Sequence, residues 1–135
     1  MVAKELDFLW VVNKYINTLD LFSQSDVGGL TDGESITILP MPSGEGIMYQ
    51  DGSREVDYKL EIVSKSKDQF KCIETLLMIA KHLEEANRSD LVSTNNTFEF
   101  ERITVESSAS IIAQDEQGYF IYQSSLSAKI IINGV

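Results

Sequence analysis

From residue 54 to 63 polar and apolar residues alternate, with Val56, Tyr58, Leu60 and Ile62 at even positions and Glu55, Asp57, Lys59 and Glu61 at odd ones. Side chains of an extended chain point to opposite faces at period two, so the spacing predicts a strand with one apolar and one charged face. The stretch Ser64-Lys65-Ser66-Lys67 ends the alternation, and Ser66 with Gln69 three residues later fits a helix capping box. A helix is therefore predicted from about residue 67 to 85. Phe70, Ile73, Leu76, Leu77, Ala80 and Leu83 recur at spacings of three and four, which gathers them into one stripe able to pack on a sheet.

The same rules extend outward. Leu6, Leu9, Val12, Ile16 and Leu19, widened by Phe8 and Tyr15, predict an N-terminal helix over about 3–22. Residues 23–34 hold Gly28-Gly29 and Asp32-Gly33 and read as a loop. A short strand over 35–41 follows, confined to an edge or a strand end by Pro40 and Pro42, since proline donates no ladder hydrogen bond. Residues 43–46 predict a flexible turn before Ile47-Met48-Tyr49, and Asp51-Gly52 a hairpin turn into the 54–63 strand, so three strands precede the second helix. After a polar connection over 87–96, strand character resumes over 97–108. Its alternation slips between Phe100 and Ile103, which predicts a bulge or a change of exposed face. Ile111-Ile112-Ala113 leads into the turn Asp115-Glu116-Gln117-Gly118. The last strand, 119–133, carries Phe120, Tyr122, Leu126, Ala128, Ile130 and Ile132 on one face, with Ser124 its one polar interruption. The sum is an α+β chain: a mixed or antiparallel sheet packed by two helices, with a long β-hairpin arm whose exposed edge a neighbouring subunit could cover.

Length adds that the 135 residues form one domain, large enough to bury roughly two-thirds of the unfolded surface without disulfides. The single cysteine, Cys72, falls inside the second helix beside its apolar stripe and reads as a structural thiol in a reducing cytosol. The longest apolar run near the start, residues 8–12, is too short to span a membrane, and no cleavable signal is apparent. Without one, the glycosylation patterns at Asn87 and Asn95 carry no weight.

Charge changes the picture more. With 21 acidic against 11 basic residues the formal charge is −10, which argues against tight sequence-independent binding to nucleic acid. Catalytic chemistry finds little footing. The one histidine, His82, lies near the helix end beside Glu84 and Glu85, where a boundary role favourable to the helix C-terminus suits it, and no nucleophile motif accompanies it. One His and one Cys ten positions apart are not a zinc set. Asp26, Asp32 and Glu34 flank a glycine-containing loop that could hold calcium weakly, but without EF-hand spacing. Gly28-Gly29 and Gly44-x-Gly46 lack the pattern of a phosphate loop. The expectation is a non-enzyme with no catalytic, cofactor-binding or metal-ligating residues.

The order of a helix, short strands, Asp51-Gly52-Ser53-Arg54-Glu55-Val56, an alternating strand, Lys67-Asp68-Gln69 opening a core helix, and paired strands split by Asp115-Glu116-Gln117-Gly118-Tyr119 resembles the tail terminator and minor capsid proteins of long-tailed bacteriophages. The resemblance covers most of the chain through loose strand and turn patterns. It implies a virion assembly protein that caps the tail tube and joins it to the head as a homo-oligomeric, hexameric ring. The implied partners are the tail tube protein and a head-completion protein, with DNA passing through without tight binding. The implied location is the head-proximal end of the tail, after assembly in the host cytoplasm. In such a ring the acidic residues Glu55, Asp57, Glu61, Glu99, Glu101 and Glu106 would line the lumen or an interface, and Asp115 and Glu116 would sit at a contacting turn. Two other classes stay open: an acidic DNA mimic that inhibits a DNA-binding protein, and a small carboxylate-using enzyme.

Overall fold

The alternating strand is longer than its apolar pattern. In the computed structural model, which describes residues 6–41, 47–48 and 52–133, it is strand β4 in the order α1 (Phe8–Ile16), β1 (Ser25–Val27), β2 (Ser35–Pro40), β3 (Ile47–Met48), β4 (Arg54–Ser66), α2 (Gln69–Glu85), β5 (Phe98–Gln114), β6 (Phe120–Ile132). Ser64 and Ser66 continue the buried even-numbered face of β4 because both hydroxyls find partners. Ser64 donates to the Cys72 carbonyl at 3.2 Å and Ser66 to the Glu34 carboxylate. A buried hydroxyl so satisfied costs little.

The strands form one sheet in the order β1-β2-β4-β6-β5, with β3 pairing β4 beyond the end of β2. β1 runs parallel to β2 and every other pairing is antiparallel, so the sheet is mixed and the chain is α+β. β4 and β6 pair from Arg54↔Ile132 to Ser66↔Phe120, which puts even-numbered residues of both strands on one face. Leu60, Ile62, Tyr122, Leu126, Ala128 and Ile130 are buried there. α1 and α2 cover that face. Phe8 of α1 meets Tyr58 and Phe98 edge-on, each with ring centroids 5.1 Å away. The other face has no helix on it. Ser124, the polar interruption of β6, is buried and donates to the Ser107 carbonyl at 2.9 Å.

Several expectations change in detail. Within the described residues, the first helix is Phe8–Ile16, shorter than 3–22, and residues 3–5 lie outside the described set. Asp7 is drawn out of the helix by the connection at 93–97, whose hydroxyls it accepts. At the other end Asn17 reverses the chain: its side chain donates to the Ser25 carbonyl at 2.9 Å and accepts from the Ser25 N–H at 2.7 Å. That pairing also positions β1 inside the expected 23–34 loop, so four strands precede α2, one more than expected. A three-residue strand is too short for periodicity to reveal. The expected turn at 43–46, Tyr49 and Asp51 lie outside the described residues.

α2 starts two residues later than the capping-box reading. Asp68 is its N-cap, accepting from the Lys71 N–H at 3.3 Å, while the Ser66 hydroxyl accepts from the Asp68 N–H at 3.1 Å and serves the strand end. Its buried stripe is also rotated, consisting of Cys72, Thr75, Leu76, Ile79, Ala80 and Leu83. Phe70 (75%) and Leu77 (49%) are exposed. The stripe centres on Cys72, Leu76 and Ile79, and Phe70 and Leu77 fall on its flank.

β5 is one strand of 17 residues, Phe98–Gln114, which runs past the expected end at 108 and takes in Ile111-Ile112-Ala113. The slip after Phe100 is a bulge, and further register shifts follow between Val105 and Ser107, Ser107 and Ser110, and Ile111 and Ala113. The long β5–β6 hairpin is present but is not a free arm, because β4 pairs β6 along its whole length. Of the hairpin, the outer edge of β5 has no strand beside it among the described residues.

Candidate functional site

Five of the acidic residues singled out from the sequence share a neighbourhood on or beside the helix-free face. Glu55, Asp57 and Glu61 are odd-numbered residues of β4, and Glu99 and Glu106 come from β5 two strands away. Across this face run Gln123, Ser125, Ser127 and Lys129 of β6. The cations there matter as much as the acids. Lys129 pairs with Glu55 at 2.9 Å and Lys59 with Glu106 at 3.4 Å, both partly exposed. Arg102 of β5, opposite Lys129, adds a third. Exposed pairs of this kind stabilise weakly, on the order of 0–1 kcal/mol each, but they partly cancel the field of the acids. Asp57, Glu61 and Glu99 make no ion pair among the described residues, so the acidic potential concentrates on them.

Two bulges explain where the remaining β5 acids point. Glu101 and Glu106 are skipped by the ladder to β6, and a bulge re-aims the side chain it carries. Glu106 turns to Lys59. Glu101 accepts from Arg88 at 2.7 Å, beside the connection that follows α2. The structure thus separates Glu101 from the acids around Lys59.

Asp115 and Glu116 sit at the opposite end, about 30 Å from Asp57 along β4 at ~3.3 Å per residue. Asp115 is part of the turn itself: its carboxylate accepts from the Gln117 and Tyr119 N–H groups at 3.0 and 2.9 Å. Gly118 takes φ +90°, a region where only glycine is unstrained. Lys65 joins this turn to the loop before β2. Its ammonium lies 3.8 Å from Asp115, donates to the Thr31 carbonyl at 3.1 Å and stands 5.0 Å over the Tyr119 ring. Glu116 is exposed.

The groups considered for catalysis or metals are occupied structurally. His82 places Nδ1 2.9 Å from the Met78 carbonyl one turn back, and its own carbonyl accepts from the Tyr15 hydroxyl, tying α1 to α2. Cys72 is fully buried, and burial pushes its thiol pKa up, away from the reactive thiolate. Of the calcium candidates, Asp26 lies in β1 and Glu34 is held by Ser66 and by Lys71 at 3.2 Å. The Ser66 hydrogen bond, against a smaller opposing burial, holds the Glu34 carboxyl below its usual range. No cluster of three or more His, Cys, Asp or Glu suited to a metal forms among the described residues.

Sequence reasoning missed the countercharges. Lys129 sits at an odd position of the last strand, but only the β4–β6 register places it opposite Asp57. Two shallow clefts also border β5. One, of about 330 Å³, is lined by Val92, Phe98, Glu99 and Phe100, and the other, of about 370 Å³, by Leu77, Lys81, Glu84, Val105 and Ser108.

The sequence matches no protein-family model and no curated protein. The fold has a likeness among solved structures: a chain of the virion of a native gene transfer agent (GTA) particle superposes with a TM-score of 0.55 at 10% identity, over 90% of this chain and 84% of that one. At that identity the likeness is one of fold.

Proposed function

We propose that this protein is a structural component of a phage-like particle. The observation that carries this reading is the fold shared with a virion chain over nearly the whole of both molecules. Cys72 and His82 are consistent with it, since they are engaged in core and helix contacts. Within the particle, we propose the finer role of a tail terminator, a hexameric ring that caps the tail tube and meets a head-completion protein. This rests on the sequence resemblance. In that ring the helix-free face, with Asp57, Glu61 and Glu99 outside any ion pair among the described residues, would line the lumen and keep passing DNA from adhering, and the Asp115–Glu116 turn would contact a neighbour. The DNA-mimic reading is less favoured, because Glu55 and Glu106 are countered by Lys129 and Lys59.

The test is to mix the purified protein with tail tubes that lack their end cap and examine them by negative-stain microscopy and native mass spectrometry. Ring-shaped density at one end of the tubes, with a defined oligomer released from it, is the expected result. Tubes that stay bare at saturating protein would overturn the terminator role.

A further inference from the structure

Among the described residues six large hydrophobic side chains stand exposed, and four of them lie on β5 or line clefts beside it. Ile111 and Ile112 lie on β5. Leu77 lines the cleft that α2 forms with Val105 and Ser108 of β5, and Phe70, seven residues earlier in α2, falls on the same side of the helix by its spacing. Val92 lines the cleft beside Phe98 and Phe100 at the start of the strand. Trp10 is the sixth. Apolar surface concentrated in this way marks an interaction site.

The edge itself points the same way. β5 has β6 on one side and, among the described residues, no strand on the other. Natural edges are commonly guarded by charge, proline or bulges. Residues 107–114 read Ser-Ser-Ala-Ser-Ile-Ile-Ala-Gln, with no charged residue and no proline. Bulges are their one guard, and bulges twist a ladder without repelling a partner.

We propose that a second copy of this chain docks here, β5 antiparallel to β5 about a two-fold axis close to Ala109. Charge decides the choice of occupant. Two molecules of net charge −10 repel at most surfaces, and this edge is one along which an identical strand places no like charges directly opposite one another. With the axis at Ala109, Glu106 of each copy faces Ile112 of the other, and Ser107 faces Ile111. Counted by residue, Arg102 falls opposite Glu116 in the turn just past the end of β5 at Gln114, once on each side of the axis. Both residues are exposed and neither has an ion-pair partner within its own chain among the described residues. A two-fold contact also sets the Phe70–Leu77 flank of each α2 toward its counterpart, covering the apolar seam from both sides. The contact goes beyond the particle reading and does not depend on it.

The test uses the full chain and its charge-reversed variants in sedimentation velocity and native mass spectrometry, from roughly 1 to 100 μM, the range in which a modest interface titrates. The wild type is expected to form a pair. Arg102→Glu and Glu116→Arg should each weaken pairing by about tenfold, since each turns two attractions into two repulsions, and the two together should recover it to within about threefold. Ser110→Lys, a charge placed on the edge, should abolish pairing with the circular dichroism spectrum unchanged. If that variant unfolds, the Arg102/Glu116 set still decides, because both side chains lie outside the core. A wild type that stays monomeric throughout, or a combined variant no better than the single ones, overturns the proposal. Tube capping is read separately, so either idea can fail without the other.

Discussion

Asp7→Asn should destabilise the protein by about 2 kcal/mol at pH 7, and the loss should disappear in acid. The Asp7 carboxylate accepts from the Ser93 hydroxyl at 2.7 Å, the Thr94 N–H at 2.8 Å, the Thr94 hydroxyl at 2.7 Å and the Thr97 hydroxyl at 3.0 Å. Hydrogen bonds to a charged acceptor contribute roughly 1.5–3 kcal/mol each where water is excluded. Asp7 is only half-buried, so water replaces part of what asparagine loses. Asparagine can keep its one oxygen on the fixed Thr94 N–H, but its amide N–H groups then replace the oxygen that accepts from the Ser93 and Thr97 hydroxyls, which sets the loss near one full charged bond. Burial alone would raise the Asp7 pKa, but the bonds from Ser93, Thr94 and Thr97 outweigh it and hold the carboxyl below its usual range. A depressed folded pKa means stability that is fully present above the unfolded value near ~3.9 and lost as pH falls through the folded value. Urea unfolding of both proteins at pH 7 and at about pH 2.5 measures this, with a midpoint difference of ~1 M at neutral pH for a slope of 1–3 kcal/mol per molar. Equal midpoints at pH 7, or a gap that persists undiminished in acid, would refute the reasoning.

Leu126 is fully buried on the central strand, and Leu126→Ala should cost about 2–5 kcal/mol by lost transfer energy and residual cavity, read by the same urea titration. Gly118→Ala meets nothing within 4 Å of the added methyl, so its cost should be purely that of the φ +90° backbone, about 1–2 kcal/mol. An equally large penalty for Gly118→Asn, which tolerates the left-handed region better, would contradict that cause. Cys72 should resist maleimide labelling in the native protein and react fully in denaturant, since its sulfur is buried and its pKa is raised chiefly by that burial; rapid native labelling would mean that α2 opens from the sheet.

Period-two and helical spacing were enough to place β4, α2 and β6, because each runs long enough for its buried face to repeat several times. The Asp115–Gly118 turn was also legible, since a carboxylate that accepts from its own loop and a glycine at positive φ have a local signature. What failed was set by contacts distant in the chain. The start of α2 moved because Ser66 is held by Glu34 from another loop, and Phe70 and Leu77 were assigned to the core because helical spacing fixes a stripe's width but not its rotation against the sheet. β1 exists through the Asn17–Ser25 bonds and a parallel partner. The acids of the candidate site could be named, but their cations could not, since Lys59–Glu106 and Lys129–Glu55 follow from strand register. Glu101 parts from its neighbours through one bulge residue.

The central position of β6 has a kinetic consequence. β4 and β5 are adjacent in the chain order of strands, yet they do not pair with each other in the sheet: β6, which follows both, stands between them along its full length. The β5–β6 hairpin closes over a short turn and forms from local contacts, whereas β4 can be capped only after a loop containing α2 and all of β5 has closed. Hairpins form in roughly 1–10 μs, while non-local pairing sets the slower rates of sheet-rich domains, in the ms–s range. The rate-limiting event expected in refolding is therefore the docking of a preformed hairpin onto the β4–α2 unit. Until it occurs, β4 shows a bare edge beside an uncovered apolar face, the species most prone to misassociate.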